Sequence, residues 1–256
     1  MGNFLLLLQN ENMKIYRRIR TWVMLGLIVA IPALFAVLVK VSVTDDPGAW
    51  DMFSNITIIY MLVSVFASVI FADIVASEFG WGTIKLLLIR PWKRSKILLS
   101  KLLAGILFSL ISTILFLAVD FILSFALFHG RSVNEYPADY TAFSYAMEQM
   151  LYQYVDLLVI CVIAFMLSTL FRSSGISIGL SIFILFARNI FQALLNPELY
   201  PWAKYVLFTN MDLSQYMMGG GQAGMTMGFS ITMLAVYVLV FLAISWVVFM
   251  KRDVAA

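Results

Sequence analysis

Three charged side chains stand inside long apolar runs of this sequence: Asp120, Asp156 and Arg188. Each costs roughly 2.5–3.5 kcal/mol at the centre of a bilayer, so each needs a partner or a polar path. Counted at 1.5 Å per residue from the outward ends of their runs, they lie about 12, 6 and 10 Å deep. All three share one half of the membrane, so Arg188 is within reach of one or both acids. Such a cluster can be a structural ion pair that fixes helix register, or the polar lining of an outer vestibule. A proton relay is a third use. A fourth charge, Asp73, sits at the inner end of its run, where it is expected to reach lipid head groups.

Other chemistry is sparse. One cysteine (Cys161) and one histidine (His129) leave no disulfide framework and no metal ligand set. There is no G-x-x-x-x-G-K-[ST], no G-x-S-x-G and no H-E-x-x-H. The chain therefore reads as no enzyme, with no nucleotide or metal site of its own. No run shows the regular polar stripe of a channel. Cys161 reads as a packing residue and His129 as an ordinary interfacial one.

The elements that must position these charges follow from composition. The 256 residues are 62% hydrophobic and only 12% charged, with a mean hydropathy of +0.95. Soluble domains are about 45–50% apolar and about 25% charged. Lipid must be the solvent for most of the chain. A net charge of +3 argues against nucleic acid as a partner.

Six apolar stretches have the length of a bilayer crossing: Trp22–Val41, Phe53–Val75, Gly105–Phe128, Tyr152–Leu170, Ser177–Leu195 and Met227–Phe249. They are too long, and too poorly alternating, for barrel strands. The first is also too long for a cleaved signal peptide and lacks a small-x-small site. The fold class is an all-α polytopic membrane protein, one transmembrane domain over residues 1–256. Of the 17 basic residues, 13 fall at the N-terminus, in the loops after spans two and four, and in the tail. The positive-inside rule then puts both termini in the cytoplasm of a plasma-membrane protein. Asp45, Asp46, Asp51, Glu135, Asp139 and Glu148 lean to the other side, with Glu198 and Asp212. The six tryptophans fall near the expected interfaces.

Three segments lie outside the spans. Residues 1–20 form an amphipathic interfacial helix, with Phe4, Leu5, Leu8, Ile15 and Ile19 on its apolar side and Lys14, Arg17, Arg18 and Arg20 opposite. Residues 76–100 are too polar to span and too apolar to float free. There Gly80 and Gly82 permit a sharp turn, Leu86–Ile89 can form a short helix, and Pro91 stops it. A loop hugging the inner lipid surface through its lysines fits as well as a built device. Residues 196–228 open on Pro197 and Pro201 and close on a glycine group; Tyr200–Phe208 and Met211–Met218 can form short helices. Residues 130–150 read as a loop. Gly175-x-x-x-Gly179 with its flanking serines gives span five a small-residue stripe, suited to contact within or between chains.

The inner segment reads Glu78-x-x-x-Gly82-Thr83, then Leu86-Leu87-Leu88, Pro91-x-x-Arg94 and Lys101. In this order and at this place in the topology it resembles the permease subunits of type-2 ABC exporters. The likeness covers the lead-in helix, six spans, the long inner loop and a short helical hairpin before span six. The chain departs from many members in having Gly80 where a second acid stands, and Lys93 where a serine precedes the arginine. The resemblance implies that Gly82–Ile89 is a coupling helix docking on a separate ATPase, with Glu78 and Arg94 fixing its mount and Lys101 opening span three. It implies two ATPase copies, which would hold ATP and magnesium, and a second permease copy or similar sister. Many Phe and Met side chains and few charges in the spans suit a hydrophobic or amphipathic cargo such as an antimicrobial peptide, a lipid or a drug. An ion-gradient-driven transporter and a non-transporting scaffold are the rival readings.

Overall fold

The computed structural model describes residues 4–43, 46–80, 82, 92–130, 136–137, 140–171, 173–217, 219–221 and 224–251. In lipid a backbone must satisfy its own polar groups, and the long apolar runs do so as helices. Six are long and apolar enough to cross a membrane: Ile19–Ser42, Ala49–Asp73, Arg94–Leu127, Ala142–Leu170, Ser174–Leu194 and Met227–Lys251, here spans one to six. The lead-in helix is Phe4–Tyr16, a short helix Ala76–Gly80 follows span two, and no strand occurs among the described residues. The all-helical, six-span reading holds.

Two spans start well before their apolar runs. Span three begins at Arg94 because Ile97, Leu98 and Lys101 are buried, so the helix is packed before it reaches lipid. Span four begins at Ala142, within the stretch expected to be a loop. Thr141 and Ser144 cap each other's backbone N–H there, and Ala146 and Met150 bury the turns that follow. The hairpin region forms three short turns, Pro201–Tyr205, Leu207–Met211 and Leu213–Tyr216. Asn210 holds it: its amide donates to the Lys204 and Val206 carbonyls at 2.8 Å, and its oxygen accepts from Ser230 of span six at 2.8 Å.

Spans two and four are the most enclosed, and spans one, five and six form the periphery. Small residues let the inner pair approach. Ala67 and Ala72 of span two and Ala164 and Ser168 of span four are buried. Span two breaks after Asp73, and the Ser168 hydroxyl accepts the N–H groups of Val75 and Ala76 at 3.1 and 2.9 Å. A side chain from span four thus satisfies donors that the break would leave unpaired. Span three closes on span two at Gly105, where a β-carbon would sit 2.7 Å from the Phe71 ring. That ring is in turn edge-on to Phe165.

Two details of the sequence reading are sharpened. The lead-in helix buries Leu7, Glu11 and Ile15 and packs Phe4 and Leu8 against the core, while Leu5 and, at the start of span one, Ile19 stay exposed; Glu11 is the residue on this face that hydrophobicity alone does not select. Span five packs inward through Ser177, Ser181 and Leu185, with Ser177 donating to the Leu167 carbonyl at 3.2 Å. A β-carbon at Gly179 would meet nothing within 4 Å, so that glycine is not the point of close approach within the chain.

Gly105→Leu should therefore lower stability by about 1–3 kcal/mol through overpacking against Phe71. Gly26→Leu, where open space surrounds the glycine, should not. Thermal unfolding of both variants in detergent checks the contrast.

Candidate functional site

The lead-in helix brings Glu11 and Lys14 to the basic end of the bundle. The short helix after span two brings Glu78, and span three brings Lys101. Lys101 is 1% exposed, a place where an ammonium survives only if all three of its N–H donors are met. They are met by Glu11 Oε2 at 2.7 Å, Glu78 Oε1 at 3.0 Å and the Ile74 carbonyl at 3.1 Å. Lys14 closes the figure, reaching Glu11 Oε1 at 2.8 Å and Glu78 Oε1 at 2.7 Å. Two carboxylates and two ammonium groups thus alternate in a ring that joins three separate elements. Burial pulls the Lys14 pKa down, but the attraction of Glu11 and Glu78 and their hydrogen bonds outweigh it and hold the pKa above 10.5.

Beside the ring, Arg18 and Arg20 both bind Asp73, and Arg18 also reaches Ser77 at 3.5 Å. Asp73 is buried and paired at the end of span two, rather than extended to head groups. The cavity among these groups is only about 30 Å³. That is room for a water and no larger ligand. This end of the protein is a charge-paired junction with little open volume.

The residues quoted for the inner segment fare differently. Glu78 and Lys101 come together in the ring. Arg94 is elsewhere: its guanidinium donates to the Met250 carbonyl at the end of span six at 3.1 Å, and Trp246 of that span donates to Ser95 at 2.9 Å. Gly82 has φ +67°, the left-handed backbone that suits glycine, as its expected turn requires. Thr83, Leu86, Leu87 and Pro91, and with them the short helix expected over Leu86–Ile89, lie outside the described residues. Of the described residues on either side, Glu78 is held by the ring and Arg94 and Ser95 by span six.

Sequence reading missed Glu11. Its signal was positional: Leu7, Glu11 and Ile15 recur every four residues, so the acid stands on the buried face. An unexplained acid there calls for a buried base.

At the opposite end the charged trio divides. Arg188 of span five pairs with Asp156 of span four. Asp120 is not part of that pair. It is fully buried on span three, accepting from Thr57 and Ser124 at 3.2 Å each. The three share one half of the membrane but not a face, which residue counting cannot distinguish. The Asp156–Arg188 pair lines a cavity of about 310 Å³ enclosed by spans two, four and five and the hairpin turns. That volume lies at the low end of small-molecule sites, about 300–1,000 Å³.

Three outcomes follow. Lys101→Met should cost about 3–5 kcal/mol by stranding two buried carboxylates, and adding Glu11→Leu should cost less than the sum of the single changes; unfolding in detergent reads both. Lys14's contribution is complete below its ordinary pKa of 10.5 and is lost as pH rises through its raised value. The melting temperature should therefore fall more steeply above that pH in the wild type than in Lys14→Met. At the other end, alanine substitutions at Asp156 and Arg188 should couple by about 0.5–3 kcal/mol, and those at Asp120 and Arg188 should be additive.

Comparison with known proteins supports the membrane assignment. "Uncharacterized protein YhcI" of Bacillus subtilis (strain 168) is 31% identical over an alignment covering 97% of this chain and 99% of that protein. "Uncharacterized membrane protein YdbK" of the same organism is 30% identical, covering 94% and 99%. The family model described as "Protein of unknown function (DUF2705)" matches residues 19–255. Nearly the whole chain, from the start of span one onward, lies within that match, and this membrane protein therefore belongs to the DUF2705 family.

Proposed function

We propose that the chain is the permease subunit of an ATP-driven exporter of a hydrophobic or amphipathic compound, and that it carries no ATPase site itself. Two permease copies, or one with a similar sister, pair in the plasma membrane with both termini cytoplasmic. Two separate ATPase subunits hold ATP and magnesium and press on the segment after span two. The observation that carries the reading is the way this segment is mounted. Glu78 locks its start to the lead-in helix and span three through the buried ring. Arg94 and Ser95 lock its far side to span six. A force applied between them passes into three membrane elements at once, which is what a coupling lever needs.

A second reading, an ion-gradient-driven transporter, draws on the polar cavity and its Asp156–Arg188 pair. It offers no use for the rigid mount at the other end.

Affinity purification of the full chain from its native membrane should yield a nucleotide-binding-loop ATPase in equal amount. ATP hydrolysis by that complex should fall by about fivefold or more in Glu78→Gln and in Arg94→Ala. A chain that purifies without an ATPase and moves cargo under an ion gradient alone overturns the exporter reading.

A further inference from the structure

The cavity lined by Asp156 and Arg188 has a wall of defined sign. Among the described residues two carboxylates line it, Asp156 and Asp212, against the one guanidinium of Arg188. The formal balance is negative. Asp212 uses its Oδ1 locally, accepting from the Ser214 N–H and hydroxyl at 3.0 and 2.5 Å. Asp156 spends Oδ2 on Arg188, and its enclosed Oδ1 has no hydrogen-bond partner among the described residues. A buried carboxylate oxygen without a donor is costly in a bundle surrounded by lipid.

Amides add to this. Gln153 of span four and Asn189 and Gln192 of span five also line the cavity. None of the three side-chain amides makes a hydrogen bond within the described residues. Their donors and acceptors are offered to whatever enters. The same wall carries an apolar margin: Ile58 and Met61 of span two line the cavity and are 75% and 41% exposed on the flank of the bundle. The volume of about 310 Å³ suits a head group rather than a whole drug-sized molecule.

We propose that this cavity binds the cationic head group, a primary ammonium or guanidinium, of an amphiphile whose alkyl chain lies against Ile58 and Met61. The head donates N–H groups to Asp212 and the amide oxygens and is attracted by the charge of Asp156, whose Oδ1 is enclosed in the wall. An anionic head would find amide N–H groups and Arg188, but Asp156 already engages that guanidinium and Asp212 repels the anion. Two acids on two separate elements, a span and a hairpin turn, make the site depend on how the hairpin is seated. The inference deepens the exporter reading by naming the charge of its cargo. Binding is measured without any ATPase, so its failure would leave the coupling mount untouched.

The test uses the full chain in phosphatidylcholine nanodiscs, titrated calorimetrically with n-octylammonium, n-octanoate and n-octanol against empty discs. A saturable component of one octylammonium per chain is expected, absent for octanoate and octanol. It should weaken by about tenfold or more in Asp156→Asn and in Asp212→Asn. Asp212 lies on an exposed turn, so its variant keeps the test decisive if Asp156→Asn fails to fold. Absence of a saturable component in the wild type, equal binding of octanoate, or unchanged affinity in either folded variant overturns the site.

Discussion

An ammonium group that water cannot reach must be surrounded by acceptors, and it holds in place whatever supplies them. Lys101 is that group here. Its acceptors come from the lead-in helix, from the short helix after span two and from the break at the end of span two itself. No single element provides enough to stabilise it. The lead-in helix cannot leave the bundle, nor Glu78 change its seat, without exposing an unpaired buried charge. A pair of this kind adds little net stability over apolar packing, but breaking it is costly. The ring is therefore better understood as a device that fixes relative position than as a source of stability.

That constraint shapes the rest of the basic end. With the lead-in helix pinned, Arg18 and Arg20 are delivered to Asp73, and the end of span two is neutralised where it breaks. Ser168 of span four completes the break from the other side by accepting the freed backbone donors. The segment that follows leaves from a fixed point. It returns to another fixed point, where Arg94 and Ser95 meet span six. The fixing of Glu78 on one side and of Arg94 and Ser95 on the other is the property that the exporter reading uses. The opposite end is built differently. There polar side chains line an open volume, and one carboxylate oxygen remains uncommitted. One end of the protein is closed by charge pairing, and the other keeps a cavity among polar side chains.

Much of this was legible in the residues. The number of spans followed from run length, and the all-helical class from the absence of alternation. The turn at Gly82 followed from glycine's freedom at positive φ. The pairing of Arg188 with an acid followed from the cost of a lone charge in lipid. The starts of spans three and four did not follow, because the helices run on past the apolar stretches where protein, not lipid, covers them. Which acid Arg188 would choose did not follow either. Asp120 and Asp156 share one half of the membrane, but Asp120 faces Thr57 and Ser124.

The sequence by itself determined that the chain lives in a membrane and crosses it six times. It also determined that each intramembrane charge would need compensation, since transfer energies depend on residue type and run length alone. Only the tertiary structure decided who compensates whom. Glu11 and Glu78 stand 67 positions apart and Lys101 lies 90 beyond Glu11, and their meeting depends on how three helices are rotated about their own axes. Helix rotation is set by the packing of Ala, Ser and Gly surfaces against neighbours. That information belongs to pairs of elements, and no single stretch of the chain contains it.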